Sequence, residues 1–571
     1  MNNPNWIKPH GDLLVNLIVD QKRGQVLKEI SLNLPDITLT ERHLCDLELI
    51  ASGAFSPLTG FMTKSDYESV IDRMELQNQI KWPLPICLDV TETIAKSLEA
   101  GQSLALRDQE GFLLAVMHLE DIWPIDRKKE ALGVYGTTNQ DHPGVHYLFQ
   151  KTGDYYIGGQ LEVLSLPLHF DFKQLRLTPL EVRRIYRKLG WQRVVGFQTN
   201  NAIHRPQFEL IIKAMQKARA NLLLLPNVGI TRPGDFDHYT RVRCHQKIVK
   251  HFPPDSYILN LLPLAMRMAG PKEALLHMII AKNYGCTHFI IGHDHAGPGV
   301  DKQNIPFYKN DEAIQLASLH AKEIGLSIIS SKEMVYLPFE DEYRQASDVP
   351  PKSETISLSG SDIRKRIIQG KKIPQWATFP EVVKELCKAY PPPKKQGFTI
   401  FFTGLSGAGK STVAKVLFSR FLEIGKRPVT LLDGDIVRQN LSSELSFSKE
   451  HRDINVHRIG FVASEITKNR GIAICAPIAP YQETRQEIRS SIEKYGGFIE
   501  VHVATPLDEC EKRDRKGMYA KARAGLIKGY TGVDDPYDIP LEPEVRIDTS
   551  DLTPGEAAQE ILLFLSQQGY T

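Results

Sequence analysis

With 571 residues, 42% of them apolar and 24% charged, the chain has material for several packed domains. A formal charge of +2 argues against a general nucleic-acid or membrane-surface protein. No apolar run approaches the ~18 residues of a membrane span. The first ten residues lack the apolar core of a signal peptide. Seven scattered cysteines without a C-x-x-C pair read as reduced thiols in a cytoplasm, not as a zinc site.

Taken in order, residues 1–172 mix short strand patterns with turn signals. The patterns at 103–106 and 111–116 flank Arg107-Asp-Gln-Glu-Gly111 and predict a hairpin, hence a β-rich domain. From 173 the pattern changes. Helical period at 179–189, 208–219 and 273–283 alternates with buried strands at 194–197, 222–225 and 288–291. Such alternation predicts a parallel α/β sheet over 173–330, with ligands at the carboxyl ends of its strands, around 198–207 and 292–299. A small α/β subdomain is expected over 331–390, containing a capped helix start at Ser359-Gly-Ser-Asp362. Pro391-Pro-Pro-Lys-Lys-Gln-Gly397 is a stiff, polar connector. Residues 398–571 form a unit of their own, so the fold class is a multidomain α/β protein ending in a P-loop domain.

That last unit opens on the densest signal in the chain. A strand pattern at 399–402 runs into Gly404-Leu405-Ser406-Gly407-Ala408-Gly409-Lys410-Ser411-Thr412, and helical period follows. Strand, Gly-rich loop and helix in this order cradle a phosphate: backbone N–H groups and the helix dipole converge on the anion. Lys410 reaches the terminal phosphates and the Ser411 hydroxyl suits Mg2+. A second strand at 429–432 ends in Asp433-Gly434-Asp435. Two carboxylates there can help order Mg2+ with ATP, Asp433 foremost, and accept a proton from an attacking hydroxyl. Downstream, Phe447 can stack a base, and Arg452 and its basic neighbours can clamp an anion. The cation-rich segment 512–528 suits a mobile lid over phosphates.

The order of these pieces, with Ala476-Pro-Ile-Ala-Pro-Tyr481 and Tyr530-Thr-Gly-Val-Asp-Asp-Pro-Tyr537, closely resembles the adenylylsulfate kinases across 398–568. The resemblance implies ATP-dependent phosphorylation of the 3′-hydroxyl of adenosine 5′-phosphosulfate (APS), with ATP and APS as the partners. It also implies a homo-oligomer. Arg438, Phe447, Arg452, Asn455 and Lys521 match the family's acceptor-binding positions; Asp433 and Asp435 match its acidic pair. The chain departs from the pattern at Ala479, where the family often has serine, and at Ser446 and His451, where glycine and aspartate are frequent. In-line transfer needs no serine at 479, so kinase activity is expected to survive.

Residues 1–390 resemble ATP sulfurylase, a nucleotidyltransferase in which sulfate attacks the α-phosphorus of ATP. The segments at 53–61, 234–243, 262–270 and 294–299 are family-like. The family's Gln-x-Arg-Asn-Pro-x-His-x-x-His is here Gln198-Thr-Asn200-Asn201-Ala202-Ile-His204-Arg-Pro-Gln207. Its Gly-Arg-Asp-His-Ala-Gly-Pro-Gly is Gly292-His293-Asp-His295-Ala296-Gly-Pro-Gly299. Both arginines that face sulfate in the family are thus replaced, and so is the second histidine. Each lost charged hydrogen bond to a desolvated dianion is worth ~1.5–3 kcal/mol, so the sulfurylase-like domain is expected to be weak or inactive unless His293 and Arg205 rebuild the anion site. A fully bifunctional enzyme is the alternative, and a non-catalytic nucleotide sensor a third reading.

Overall fold

The computed structural model describes residues 7–571 except 232–234, 332, 352, 447 and 515–516, and omits the side chain of Asp435. The chain forms two compact units. One comprises Met1–Gly360 with Pro374–Glu385, the other Ser361–Ile373 with Leu386–Thr571. The second unit therefore takes up a short segment well upstream of the expected 391–397 connector.

The first unit carries two sheets and a hairpin. Strands β1 (Asp36–Thr38), β2 (Gly60–Phe61), β3 (Leu88–Val90), β4 (Ser103–Arg107), β5 (Leu113–Pro124) and β6 (Tyr155–Val163) make a sheet ordered β1-β4-β5-β6-β2, with β3 also on β6. The expected hairpin is β4 antiparallel to β5, and it is longer than its sequence pattern because β5 continues along β6 to Pro124. The second sheet holds β7 (Val194–Thr199), β8 (Asn221–Pro226), β9 (Tyr257–Leu259), β10 (His288–Ile291) and β11 (Ser327–Ser330), ordered β11-β10-β7-β8-β9 and wholly parallel. Its strands are short apolar runs because helices cover both faces. Helix Pro179–Leu189 shows how local signals set an element. Thr178 and Glu181 close a capping box, proline occupies the first turn, and Gly190 ends it in the left-handed region at φ 71°. The antiparallel pair β12 (Met334–Leu337) and β13 (Glu342–Gln345) completes this unit. One apolar core runs from Ile37 to Leu326 through both sheets. A buried ion pair, Arg267 to Asp46 at 2.5 Å, joins the loop after β9 to helix Glu41–Ala51.

The second unit is a parallel sheet of β14 (Phe398–Thr403), β15 (Val429–Asp433), β16 (Ile472–Ala476), β17 (Gly497–Val503) and β18 (Val545–Ile547), ordered β15-β16-β14-β17-β18. All six residues of β14 are buried. The chain leaves β14 toward one edge and later crosses to the other. The carboxyl end of β14 is therefore the switch point where an open α/β sheet binds ligand. No helix among the described residues is long and apolar enough to cross a membrane.

Candidate active sites

The loop after β14 is shaped as a phosphate cradle by its backbone and by braces from far along the chain. Gly404 lies at φ 147°, where a Cβ would sit 2.5 Å from the Val503 carbonyl oxygen, and Gly409 lies at φ 102°. Neither position accepts a larger residue without strain. The loop carbonyls are occupied from behind. Lys410 Nζ donates to the oxygens of Gly404 at 2.8 Å and Leu405 at 2.7 Å. Tyr519 donates to Ser406 at 3.0 Å, and Thr549 and Thr505 donate to Ala408 at 2.8 and 3.2 Å. Arg513 in turn holds Thr549 through its Oγ1 at 2.8 Å and its carbonyl at 2.6 Å. Tying back carbonyls leaves the amide face of the loop for an anion. Helix Lys410–Ile424 starts directly from this loop and ends at Gly425 in the left-handed region.

Burial lowers the Lys410 ammonium to about 8, partly opposed by Cys510 and Asp433. Asp433, itself buried, ends β15 in register with Ala476 of β16, on the same carboxyl edge of the sheet as the loop. The Ser411 hydroxyl and the Asp433 carboxylate are oxygen donors suited to a hard divalent cation. Among the described residues no cluster of three or more His, Cys, Asp or Glu could hold a metal.

The expected acceptor residues lie on the elements after β15. Arg438, on helix Gly434–Leu441, donates to the Leu445 and Ser446 carbonyls, each at 3.2 Å. Arg452 and Asn455 share helix Lys449–Lys468. Arg452 donates to Thr531 at 2.7 Å and Tyr481 at 3.0 Å, and pairs with Asp535 at 3.0 Å. Asn455 is buried, and its Oδ1 has no hydrogen-bond partner among the described residues, as expected of a group that awaits a ligand. Lys521 is exposed on the short helix Met518–Arg523. Phe447 lies outside the described residues, as does the Asp435 side chain. Ala479 is fully buried at φ 46°, in an apolar cluster with Val437 and Ile488. Its carbonyl accepts from Thr403 at 3.0 Å and Arg485 at 2.8 Å. Ser446 and His451, the two other departures, are hydrogen-bonded to each other.

In the first unit the predicted residues gather at the ends of β7 and β10. Gln198 meets His277 at 3.3 Å, and His277 meets His295 at 2.8 Å. Burial, with the neighbouring His277, pushes His295 down to about 3. Burial likewise pushes His204 down to about 4; its Nδ1 lies 2.9 Å from the Thr378 hydroxyl. Both imidazoles are thus neutral donors or acceptors near pH 7. Gln207 is exposed, and its side-chain oxygen accepts the His204 N–H at 3.1 Å at the start of helix Arg205–Ala218. Asn200 donates to Asp235 at 2.8 Å, and its carbonyl takes Arg241 at 2.8 Å. Asn201 donates to the Asn200 oxygen at 3.2 Å. Ala296 holds φ 55°, and its carbonyl accepts the Gly270 N–H at 3.2 Å. His293 is ion-paired with Asp311. Arg205 packs on Phe379 with its guanidinium carbon 4.0 Å from the ring centroid, and its buried Nε lacks a hydrogen-bond partner among the described residues. Sequence reasoning missed His277, Asp311 and Thr378, and gave Asp235 and Arg241 no role beyond their place in the family-like segment 234–243; Asp235, Arg241 and Thr378 lie 35 or more positions from their partners, His277 lies 79 from Gln198 and 18 from His295, and Asp311 lies 18 from His293.

A PUA-like domain model matches 7–166, an ATP-sulfurylase model 173–389 and an adenylylsulphate kinase model 396–548. Proteins named sulfate adenylyltransferase from Phaeosphaeria nodorum and Coccidioides immitis are 47% and 45% identical, over 100% of this chain and 99% of each relative. A solved structure titled hexameric APS kinase, from Thiobacillus denitrificans, superposes with a TM-score of 0.82 at 40% identity, over 99% of both chains.

Proposed function

The chain belongs to the sulfate adenylyltransferase family that carries a fused adenylylsulfate kinase domain, and from that premise we propose that it is a sulfate-activating enzyme whose C-terminal unit phosphorylates APS. The supporting observation is the braced loop with Lys410 and the buried Asp433 on one carboxyl edge of the sheet, together with Arg452 and the unsatisfied Oδ1 of Asn455 on the one helix Lys449–Lys468. Residues 404–412 bind ATP, and Arg438, Phe447, Arg452, Asn455 and Lys521 bind APS. Mg2+, held with ATP by Ser411 and Asp433, would neutralise phosphate charge. The γ-phosphoryl group moves in line to the 3′-oxygen, the hydroxyl proton passes to the acidic pair Asp433 and Asp435, and ADP leaves. The products are 3′-phosphoadenosine 5′-phosphosulfate and ADP. Purified protein given ATP, Mg2+ and APS makes the 3′-phosphorylated product; no product overturns the reading.

For the N-terminal unit the relatives' names support sulfate adenylyltransferase activity, and so a bifunctional enzyme, better than the loss expected from Asn200, Gln207 and His293. A weak sulfurylase stays as the second reading because of one specific arrangement. The two positions that carry arginine in the family are here an amide bound to Asp235 and an imidazole paired with Asp311. Robust sulfate-dependent pyrophosphate release from ATP supports the bifunctional enzyme; its absence supports the second reading. Division into 1–172, 173–330, 331–390 and 398–571, and assembly into homo-oligomers, belong to the same proposal.

A further inference from the structure

We propose that Ser446 and His451 form a proton-sensitive brace that positions the acceptor site of the kinase unit. The inference rests on the kinase reading above and concerns two residues that set this chain apart from the family pattern.

The Ser446 peptide is held from both sides. Its carbonyl, with that of Leu445, takes the Arg438 guanidinium at 3.2 Å. Its N–H donates to His451 Nδ1 at 2.9 Å, and its hydroxyl lies 2.8 Å from the same nitrogen. The hydroxyl oxygen also accepts the Ser448 N–H at 3.3 Å, and Ser448 caps the helix Lys449–Lys468 by accepting the His451 N–H at 3.3 Å. Arg438 is thus tied by hydrogen bonds through Ser446 to His451, and Arg452, the other acceptor residue, follows His451 in the helix and donates its backbone N–H to the Ser448 carbonyl at 2.9 Å.

The donor inventory fixes the protonation state. A backbone N–H can only donate, so Nδ1 must offer a lone pair and the imidazole must be neutral, with its proton on Nε2. An imidazolium would point an N–H at the Ser446 N–H and lose that bond. Aspartate, frequent at this position in the family, accepts the same N–H without titrating near neutrality. The histidine therefore adds a pH dependence to a brace that a carboxylate would leave constant. His451 is half-buried and open to protons. The charged groups around it are Glu444, held by Arg458 at 2.6 Å, then Lys449 and Glu450 on its own helix, and Arg438 across the Ser446 peptide.

The test is steady-state kinase kinetics for wild type, His451→Asp and His451→Asn at about pH 7.5 and about pH 5.5. Losing one hydrogen bond at the brace raises the wild-type KM for APS about 5-fold at the lower pH. The KM for ATP and kcat move no more than in the variants, because titration of the nucleotides is common to all three. His451→Asp and His451→Asn keep an oxygen acceptor and a flat KM for APS. Ser446→Gly keeps the backbone donor, and so keeps the wild-type pH dependence. An equal rise in wild type and both His451 variants overturns the brace. A wild type without turnover sinks the kinase reading instead, and calorimetric APS affinities at the two pH values then decide the brace on their own.

Discussion

Arg452 and Asp535 form an ion pair of 3.0 Å in which each side chain is only 13% exposed. The Asp535 carboxylate also accepts the Tyr481 hydroxyl at 2.9 Å, and the Tyr481 oxygen in turn accepts an N–H from the same Arg452 nitrogen at 3.0 Å. The segment around Asp535, which is not helical, therefore orients the guanidinium of Arg452, the proposed acceptor contact on helix Lys449–Lys468. Asp535→Ala should lower kcat/KM for APS about 10- to 100-fold, the scale of one charged hydrogen bond. Asp535→Asn keeps an oxygen acceptor and loses less. Unchanged kinetics in the alanine variant would show that Arg452 needs no such support.

Lys410 makes two pH predictions of opposite sense. Burial lowers its ammonium from 10.5 to about 8. The folded state thus binds fewer protons than the unfolded one between those values, so stability rises with pH across that window. The cost is fully present below pH 8, about 3 kcal/mol by the size of the shift. Lys410→Met should lose at least about 100-fold in kinase rate yet show a Tm at pH 7 no lower than wild type. ATP binding goes the other way, since phosphates need the charged form. Affinity for ATP in the absence of APS should fall as pH rises through about 8. Calorimetry across pH 7 to 9 reads this directly, and a flat affinity would contradict it.

How much of this was legible beforehand follows from the physics of each feature. The strands at 194, 222, 288 and 399 were visible because parallel strands covered on both faces read as uninterrupted apolar runs. The phosphate loop was visible because its glycines, lysine and serine are consecutive. Its braces were not: Thr505, Tyr519 and Thr549 lie about a hundred residues or more beyond the carbonyls they hold, and only the sheet order brings them back. The same holds for Asp235 and Asp311, whose identities mean little until they face Asn200 and His293. Ser446 and His451 looked like two separate departures and are one pair.

Glu130 carries a stability prediction remote from both sites. Its carboxyl accepts the Tyr67 hydroxyl at 2.9 Å and the Tyr156 hydroxyl at 3.0 Å. Burial nevertheless raises it from 4.5 to about 7. A folded-state value above the unfolded one means that the native protein holds the proton more tightly, so stability falls as pH rises from 4.5 to 7. Glu130→Gln removes the titration and keeps polar partners for both tyrosines. Its Tm should exceed that of wild type above pH 7, and the gap should close by about pH 5. Thermal melts at both values check this, and a constant gap would assign the effect to packing instead.

Sulfate is a dianion, and a site that strips its water must replace those contacts with fixed cations or donors. At 200 and 293 the chain offers an amide and an imidazole, each engaged by a carboxylate. Those carboxylates are well placed to orient restored guanidinium groups, since Asp235 and Asp311 already hold the side chains at both positions. At 207 the exposed glutamine spends its oxygen on the His204 backbone, a contact that histidine would replace with a donor to triphosphate. Asn200→Arg, Gln207→His and His293→Arg combined should therefore raise sulfate-dependent pyrophosphate release by about 100-fold or more, two charged contacts' worth. Each single change should do far less, because one cation leaves the dianion half-satisfied. Kinase activity on added APS serves as the internal control and should stay at the wild-type level. If wild type already releases pyrophosphate robustly and the triple variant adds nothing, sulfate is held by groups other than arginines at 200 and 293, and the bifunctional reading stands without them.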